Sequence, residues 1–297
     1  MQANKKDNNT AREKKPKSLW QDTWKRLKRN KAAMVGLVMV IVFILIAIFA
    51  PFLAPYDPNE IDLTSVLKAP SGAHWLGTDY YGRDLTSRII YGSRISLSVG
   101  IIVQTIALTI GTLMGSLAGY YGGKVDMFIM RIVDIVMSFP SLLLTIAIMV
   151  ALGPSLYNVF LALGVVWWTR TARIIRSEFM RNREKEYVDA ARALGNNDFI
   201  IMYKHILPNC MAPLIISFTM GIASSIMAEA SLSFLGLGAQ EPTPSWGSII
   251  NNGLQYLRTK PWYSLFPGLA IAYTVLGFNL LGDGLRDALD PRMKKQS

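Results

Sequence analysis

The chain reads as an all-α, multi-pass membrane protein with six membrane-spanning helices and one short helix in a long basic loop. Three observations give that reading. Apolar residues fill 51% of the 297 positions and charged residues 17%, too apolar a balance for one large soluble domain or two small ones. The apolar residues are gathered into uncharged windows, and a hydrocarbon core about 30 Å thick takes roughly 20 helical residues to cross. Lys and Arg, finally, fall unevenly on the two sides that those windows define.

The uncharged windows run from Ala32 to Pro55, Ile95 to Gly123, Ile135 to Thr169, Ile206 to Ala228 and Pro261 to Gly282. The third is too long for one span, and the turn pair Gly153-Pro154 near its middle divides it in two. Six spans result. They put the N-terminus, the 119–131 loop, the 170–207 loop and the C-terminus on one side. That side holds all of the 31 basic residues except Lys68, Arg83, Arg88, Arg94, Arg258 and Lys260, and by the positive-inside rule it is cytoplasmic. The net charge of +11 is therefore a topology signal, with a weak attraction to anionic membrane lipid, and no nucleic-acid module accompanies it. Cys210 stands alone, which excludes a disulfide framework or a thiol metal cluster.

Four segments follow: an N-terminal tail with an interfacial helix (1–31), a first span with its external loop (32–94), a transmembrane core (95–288) containing a basic loop at 176–208, and a C-terminal tail (289–297). The Lys-rich stretch before Leu19 has the composition of a disordered tail, and no small-residue cleavage site follows it, so it is expected to be retained. Trp20, Trp24 and Leu27 recur at helical spacing, with Lys25, Arg26, Lys28 and Arg29 on the other side. This suits either a helix lying on the inner leaflet or an ordinary juxtamembrane anchor.

After Pro51 and Pro55 the chain enters an external segment, expected to be mostly loop. Its second half, LGTDYYGRDLTSRIIYGSRISLSVG, is dense in Gly and Asp. Residues 75–94 and 240–262, with Asp79, Arg83, Asp84 and Trp246, are expected to form an external platform for a partner protein. In the second span Gly111, Gly115, Gly119 and Gly123 fall four apart on one face, a spacing that lets another backbone approach closely. Arg131 and Asp134, one turn apart near the start of the third span, are expected to neutralise each other, and Pro140 to kink that span. Asp134 and Glu229 are the candidates for a translocation path.

The basic loop carries the decisive pattern. Arg170, Arg173 and Arg176 recur three apart beyond Trp167 and Trp168, as where a span leaves the inner leaflet. The loop then reads EYVDAARALGNNDFIIMYKHILPNCMAP. Asp189, Ala190, Ala191 and Arg192 begin a short helix, small side chains leave it a flat face, Gly195 ends it, and Leu207-Pro208 starts the next span. Residues 189–208 resemble the coupling loop of ABC importer permeases: an acidic-Ala-Ala triplet, Gly six residues after the acid, and Leu-Pro at the far end. Asp189 stands where that pattern has Glu, and His205 where it has Ile. The LGTDYYGRDLTSRIIYGSRISLSVG segment, PSWG at 244–247 and GDGLRDALDPR at 282–292 look like the oligopeptide/dipeptide branch of the same family, so the resemblance spans nearly the whole chain from Trp20.

The resemblance implies a permease subunit that pairs with a second, related permease chain. Two cytoplasmic ATPase subunits would bind the coupling helix, and an external solute-binding protein would deliver peptide. Glu186, Asp189, Ala190, Ala191, Gly195, Leu207 and Pro208 would transmit ATPase closure to the spans. No cofactor is expected on this chain, because ATP and Mg would be held by the partner ATPases; the chain is expected to be a transport subunit of a bacterial cytoplasmic membrane, not an enzyme. The residues agree: around Gly123-Lys124 a phosphate-binding loop fails twice, with Ala118 in place of the first Gly and Val125 in place of Ser or Thr. Two other classes compete. A proton-coupled secondary transporter would use Asp134 and Glu229 but leaves the loop pattern unexplained. An intramembrane enzyme would need a base or metal set inside the spans, and the two histidines, His74 and His205, fall on opposite sides.

Overall fold

A computed structural model describes residues 19–289. The Lys-rich tail, the C-terminal tail beyond Leu289 and the side chain of Trp20 lie outside the described part. The fold is all-α, and its longer helices are α1 (Leu19–Arg29), α2 (Lys31–Ile48), α3 (Leu85–Tyr121), α4 (Gly123–Met137), α5 (Ser141–Leu152), α6 (Leu156–Arg183), α7 (Glu186–Ala193), α8 (Met211–Phe234), α9 (Trp246–Gly253) and α10 (Trp262–Leu289). Four stretches are long and apolar enough to cross a membrane: α2, α3, the continuous stretch Asp198–Phe234 that ends in α8, and α10. The pair α4 and α5 passes only together and is bent by 85° at Ser138–Pro140. Pro140 therefore breaks the third span, because its ring cannot continue the helix behind it. The remaining predicted span is the first half of α6, which turns basic from Arg170 onwards.

The bundle is held by small residues. Lipid tails are as apolar as leucine, so spans associate through close packing rather than through release of water. Along α3, a Cβ added at Gly111 would lie 2.5 Å from the Thr171 side chain, one at Gly115 2.5 Å from the Ala172 carbonyl, and one at Gly119 2.6 Å from the Arg176 carbonyl. The first three members of the glycine stripe thus form a groove for α6, which runs parallel to α3. Gly123 faces open space beyond the helix end and takes no part. The pairing of α2 with α10 repeats the device. Gly36 meets the backbone of Gly277 and Leu281, and Gly284 meets Ala33. Opposite this seam, Val35, Val38, Ile41, Leu45 and Ile48 are exposed, as a lipid-facing surface should be.

Two expectations are corrected. The second span starts earlier than predicted: α3 begins ten residues before it, at Leu85, with Asp84 as its N-cap accepting from the Ser87 amide, while the external segment up to Asp84 is mostly loop as expected. The fifth span begins before Leu207-Pro208. The chain is already helical at Asp198, widens to a π-turn over Ile201–Ile206 and tightens to a 3₁₀ turn over Leu207–Cys210. Pro208 lacks the amide that would continue the α ladder, and the Leu207 amide instead reaches the Met202 carbonyl five residues back. At the N-terminal helix, Leu27 is buried with Ala33 and Ala288, whereas Trp24 is half-exposed with Lys28 over its ring.

The packing yields a first prediction. Gly115→Val should lower the stability of the purified protein by about 1–3 kcal/mol, since the groove has no room for the side chain. Gly268→Ala, where a Cβ meets nothing within 4 Å, should be neutral or slightly stabilising. Thermal melting in detergent measures both.

Candidate functional site

Three places concentrate polar chemistry: the basic loop, a cavity in the helical bundle, and the segment before α3. In the loop, α7 is short because its C-terminus is closed on the spot. The Gly195 amide bonds the Arg192 carbonyl, and the Asn196 amide bonds the Ala191 carbonyl at 3.3 Å. This reciprocal pattern needs a left-handed residue, and Gly195 supplies it at φ +80°. Asn197 then caps the next turn by accepting from the Ile200 amide.

One face of α7 is anchored. Val188 and Ala191 are buried with Ile175 and Phe179 of α6 and with Ile201, Met202 and Ile206. Tyr120, at the end of α3, donates to Asp198 at 2.7 Å, and Arg183 donates to the Tyr120 carbonyl at 3.1 Å. The other face is free of the bundle: Glu186, Asp189, Ala190 and Gly195 are exposed, with Leu194 83% and Phe199 69% exposed. The two alanines expected to share a flat face are therefore divided, Ala190 outward and Ala191 inward. A helical turn of about 100° per residue puts neighbours on different faces. Leu207 is half-buried and Pro208 exposed, within the helical stretch leading into α8.

The cavity, of about 810 Å³, is enclosed by α3, the α4–α5 break, α6, α8 and α10. Its wall is mostly apolar, with Met137, Trp167, Met220 and Met227 and the polar side chains of Gln104, Ser217 and Asn279. Neither carboxylate proposed for the path lines it. Asp134 pairs at 2.5 Å with Arg173 of α6, not with Arg131. Arg131 stands three positions before Asp134 on the same helix, but the guanidinium that reaches the carboxylate comes from α6. Glu229 is fully buried in α8, where one carboxyl oxygen takes the Ser233 hydroxyl at 2.6 Å and the other has no partner among the described residues.

The segment before α3 is clamped to the loop before α9 by ion pairs between buried arginines and the more exposed Glu241. Asp79 accepts from the Tyr81 and Arg83 amides and from Arg83 Nε at 2.6 Å. Arg83 reaches Glu241 at 2.6 Å, and Arg88 reaches the same carboxylate at 3.3 Å and the Pro58 carbonyl at 3.1 Å. Asp84 also meets His74 Nδ1 at 3.0 Å. Trp246 donates from Nε1 to the Ile89 carbonyl and lies over Gly92. Asp79, Arg83, Asp84 and Trp246, the residues expected in an external platform, are each 3% exposed or less and stand as interior struts of this segment. Among the described residues no cluster of three His, Cys, Asp or Glu could hold a metal ion.

Glu241 was missed by sequence reasoning, because its partners Arg83 and Arg88 lie more than 150 residues away and nothing local marks it. Burial alone would push its carboxyl up, but Arg83 and Arg88 hold it below the usual carboxylate value. Asp62, hydrogen-bonded by Ser65 and Thr64, is held down to about 2.

Comparison with known proteins fits this architecture. Residues 111–295 match the family described as binding-protein-dependent transport system inner membrane component. The chain belongs to that permease family. Residues 18–70 match, in addition, the N-terminal transmembrane domain of oligopeptide transport permease C. The chain is 49% identical to the dipeptide transport system permease protein DppC of Alkalihalophilus pseudofirmus, over 93% of this chain and 91% of that protein. It is 44% identical to the glutathione transport system permease protein GsiD of Pectobacterium atrosepticum, over 95% and 94%. An inward-facing structure of the MetNI methionine ABC transporter superposes with a TM-score of 0.56 at 19% identity, covering 69% of this chain and 98% of that one, which shows a shared fold. The chain is thus a transport subunit of an ABC transporter complex.

The clamp predicts a pH dependence. A carboxyl held below its ordinary value adds stability that is complete above that value and is lost as pH falls through the lowered one. Below the ordinary glutamate value of 4.5 the melting temperature of the wild-type protein should therefore drop more steeply than that of Glu241→Gln, which has no charge there to lose. Parallel pH–melting curves would count against the clamp.

Proposed function

We propose that this chain is one of two related permease subunits of an ATP-driven importer in a bacterial cytoplasmic membrane, moving di- and oligopeptides that an external solute-binding protein delivers. Two ATPase subunits on the cytoplasmic side hold ATP and Mg and bind the basic loop. In this reading both termini and the 176–208 loop are cytoplasmic, which the excess of Lys and Arg on that side supports. The relatives support the solute class: one is named for dipeptides and one for glutathione, itself a small peptide.

The observation that carries the coupling role is the two-faced character of α7. Its outer face is open, while Val188 and Ala191 on its inner face are packed against α6 and the stretch leading into α8. A partner that moves α7 must move those elements, because close-packed contacts transmit displacement instead of absorbing it. Both α6 and α8 line the cavity, so a pull at the loop changes the space where solute passes. Glu186, Asp189, Ala190 and Leu194 offer the contact surface, and Gly195, Leu207 and Pro208 set the path of the chain behind it.

The test is co-purification from native membranes combined with ATPase and uptake assays. The intact chain should bring down a second permease and ATPase subunits. Ala190→Arg adds bulk to the outer face only, and should release the ATPases or uncouple hydrolysis from uptake while the melting temperature holds. If the chain purified alone and moved solute under a proton gradient, a secondary transporter would replace this reading.

A further inference from the structure

Three arginines recur along one side of α6, and the structure treats them differently. Arg176 is paired with Asp126, and Arg173 with Asp134, both carboxylates on α4. One turn further into the bundle stands Arg170. The ladder of acids cannot follow it there, because α4 ends at Met137 and the chain turns through 85° before α5. Among the described residues no ion pair or hydrogen bond engages the Arg170 side chain, which is exposed and opens into the cavity. It is the one charged residue among those that line the space.

Beside the mostly apolar walls of this cavity, a guanidinium with no counter-charge is satisfied only by water or by an anionic ligand. Its neighbours display the cheaper arrangement, an internal carboxylate, one and two turns away. Nearby polar groups complete a site that can orient a small solute. The Gln104 amide is fixed by the Gly221 carbonyl at 3.1 Å and the Ser225 hydroxyl at 2.8 Å, and the Ser217 and Asn279 side chains face the same space. The planar fork of Arg matches a carboxylate with two parallel hydrogen bonds.

We infer that Arg170 is the carboxylate-recognition residue of the translocation cavity: it meets the anionic carboxylate terminus of the solute after release from the binding protein. This rests on the importer reading above and adds the chemical group that the path selects. Local charge pairing favours it, since a solute carboxylate supplies beside Arg170 the partner that the break in α4 withholds. Dipeptides and glutathione share such a group.

The experiment uses the full transporter with its solute-binding protein in proteoliposomes, and follows ATP-driven uptake of labelled dialanine and glutathione. Arg170→Gln should reduce uptake of whichever solute the wild type carries by about ten-fold or more, the range expected for a lost charged hydrogen-bond pair. Arg170→Lys should retain an intermediate rate, and both variants should assemble with all partners and keep basal ATP hydrolysis. Unchanged uptake in Arg170→Gln would overturn the inference. So would loss of the second permease subunit from the variant complex, which would make Arg170 one half of an ion pair between subunits. Failure of the wild-type complex to carry either peptide is a different result: it removes the peptide reading itself.

Discussion

The fold hangs on the contact between α3 and α6. These two long helices run parallel through the bundle, and the three glycines of α3 let the α6 backbone lie in van der Waals contact along two full turns and more. In a lipid environment this closeness is the main source of association, because no water is released when apolar faces meet. The ion clamp and the basic loop are attached to opposite ends of this pair. At one end Asp84 caps α3 and leads into the ion clamp. At the other, Tyr120 and Arg183 tie the ends of α3 and α6 to the basic loop. A single close-packed pair therefore places the clamp and the loop at opposite poles and keeps their separation constant.

Charge is distributed along the bundle by the same economy. Near the basic pole Arg173 and Arg176 of α6 are each given an α4 carboxylate, so these ions cost little. Deeper in, the break at Pro140 takes α4 away and opens the cavity in the same stroke, and the charge that is left faces that opening. At the far pole four ions, Asp79, Arg83, Arg88 and Glu241, fold the chain before α3 onto the loop before α9. Such a cluster adds less to stability than its number of contacts suggests, since Asp79, Arg83 and Arg88 must first be stripped of water. Its use is geometric: it specifies one way to seat an otherwise irregular segment. The small residues of α2 and α10 have the same role at the edge of the bundle, where Gly36, Gly277 and Gly284 fix the height at which the first and last spans meet.

The outward face of α7 can be read as the counterpart of this rigidity. Its leucine and phenylalanine neighbours, Leu194 and Phe199, are among the most exposed apolar side chains in the protein, and they sit at the basic pole. An apolar patch set on a short helix, whose reverse side is keyed into the core, suits a joint between bodies that move against each other.

By itself the sequence determined the class of the protein, the approximate position of its spans, and the existence of α7 and the place where it ends, though not its start, which lies at Glu186 and not at Asp189. These depend on local quantities: the length of uncharged windows, the side on which Lys and Arg gather, and a glycine whose left-handed backbone closes a helix. It also exposed the glycine groove, since a four-residue period needs no partner to be seen. The tertiary structure alone decided which charges meet. Asp134 takes Arg173 and not its helical neighbour Arg131, Glu241 takes arginines from the far side of the chain, Glu229 is sealed away from the cavity, and the motif residues Asp79, Arg83, Asp84 and Trp246 are struts and not a surface. Ion pairs form between groups brought within a few ångströms, and that distance is a property of packed helices that no spacing along the chain encodes. Arg170 shows both halves of the lesson: its place in a basic ladder is written in the sequence, and its solitude in the cavity exists only in the fold.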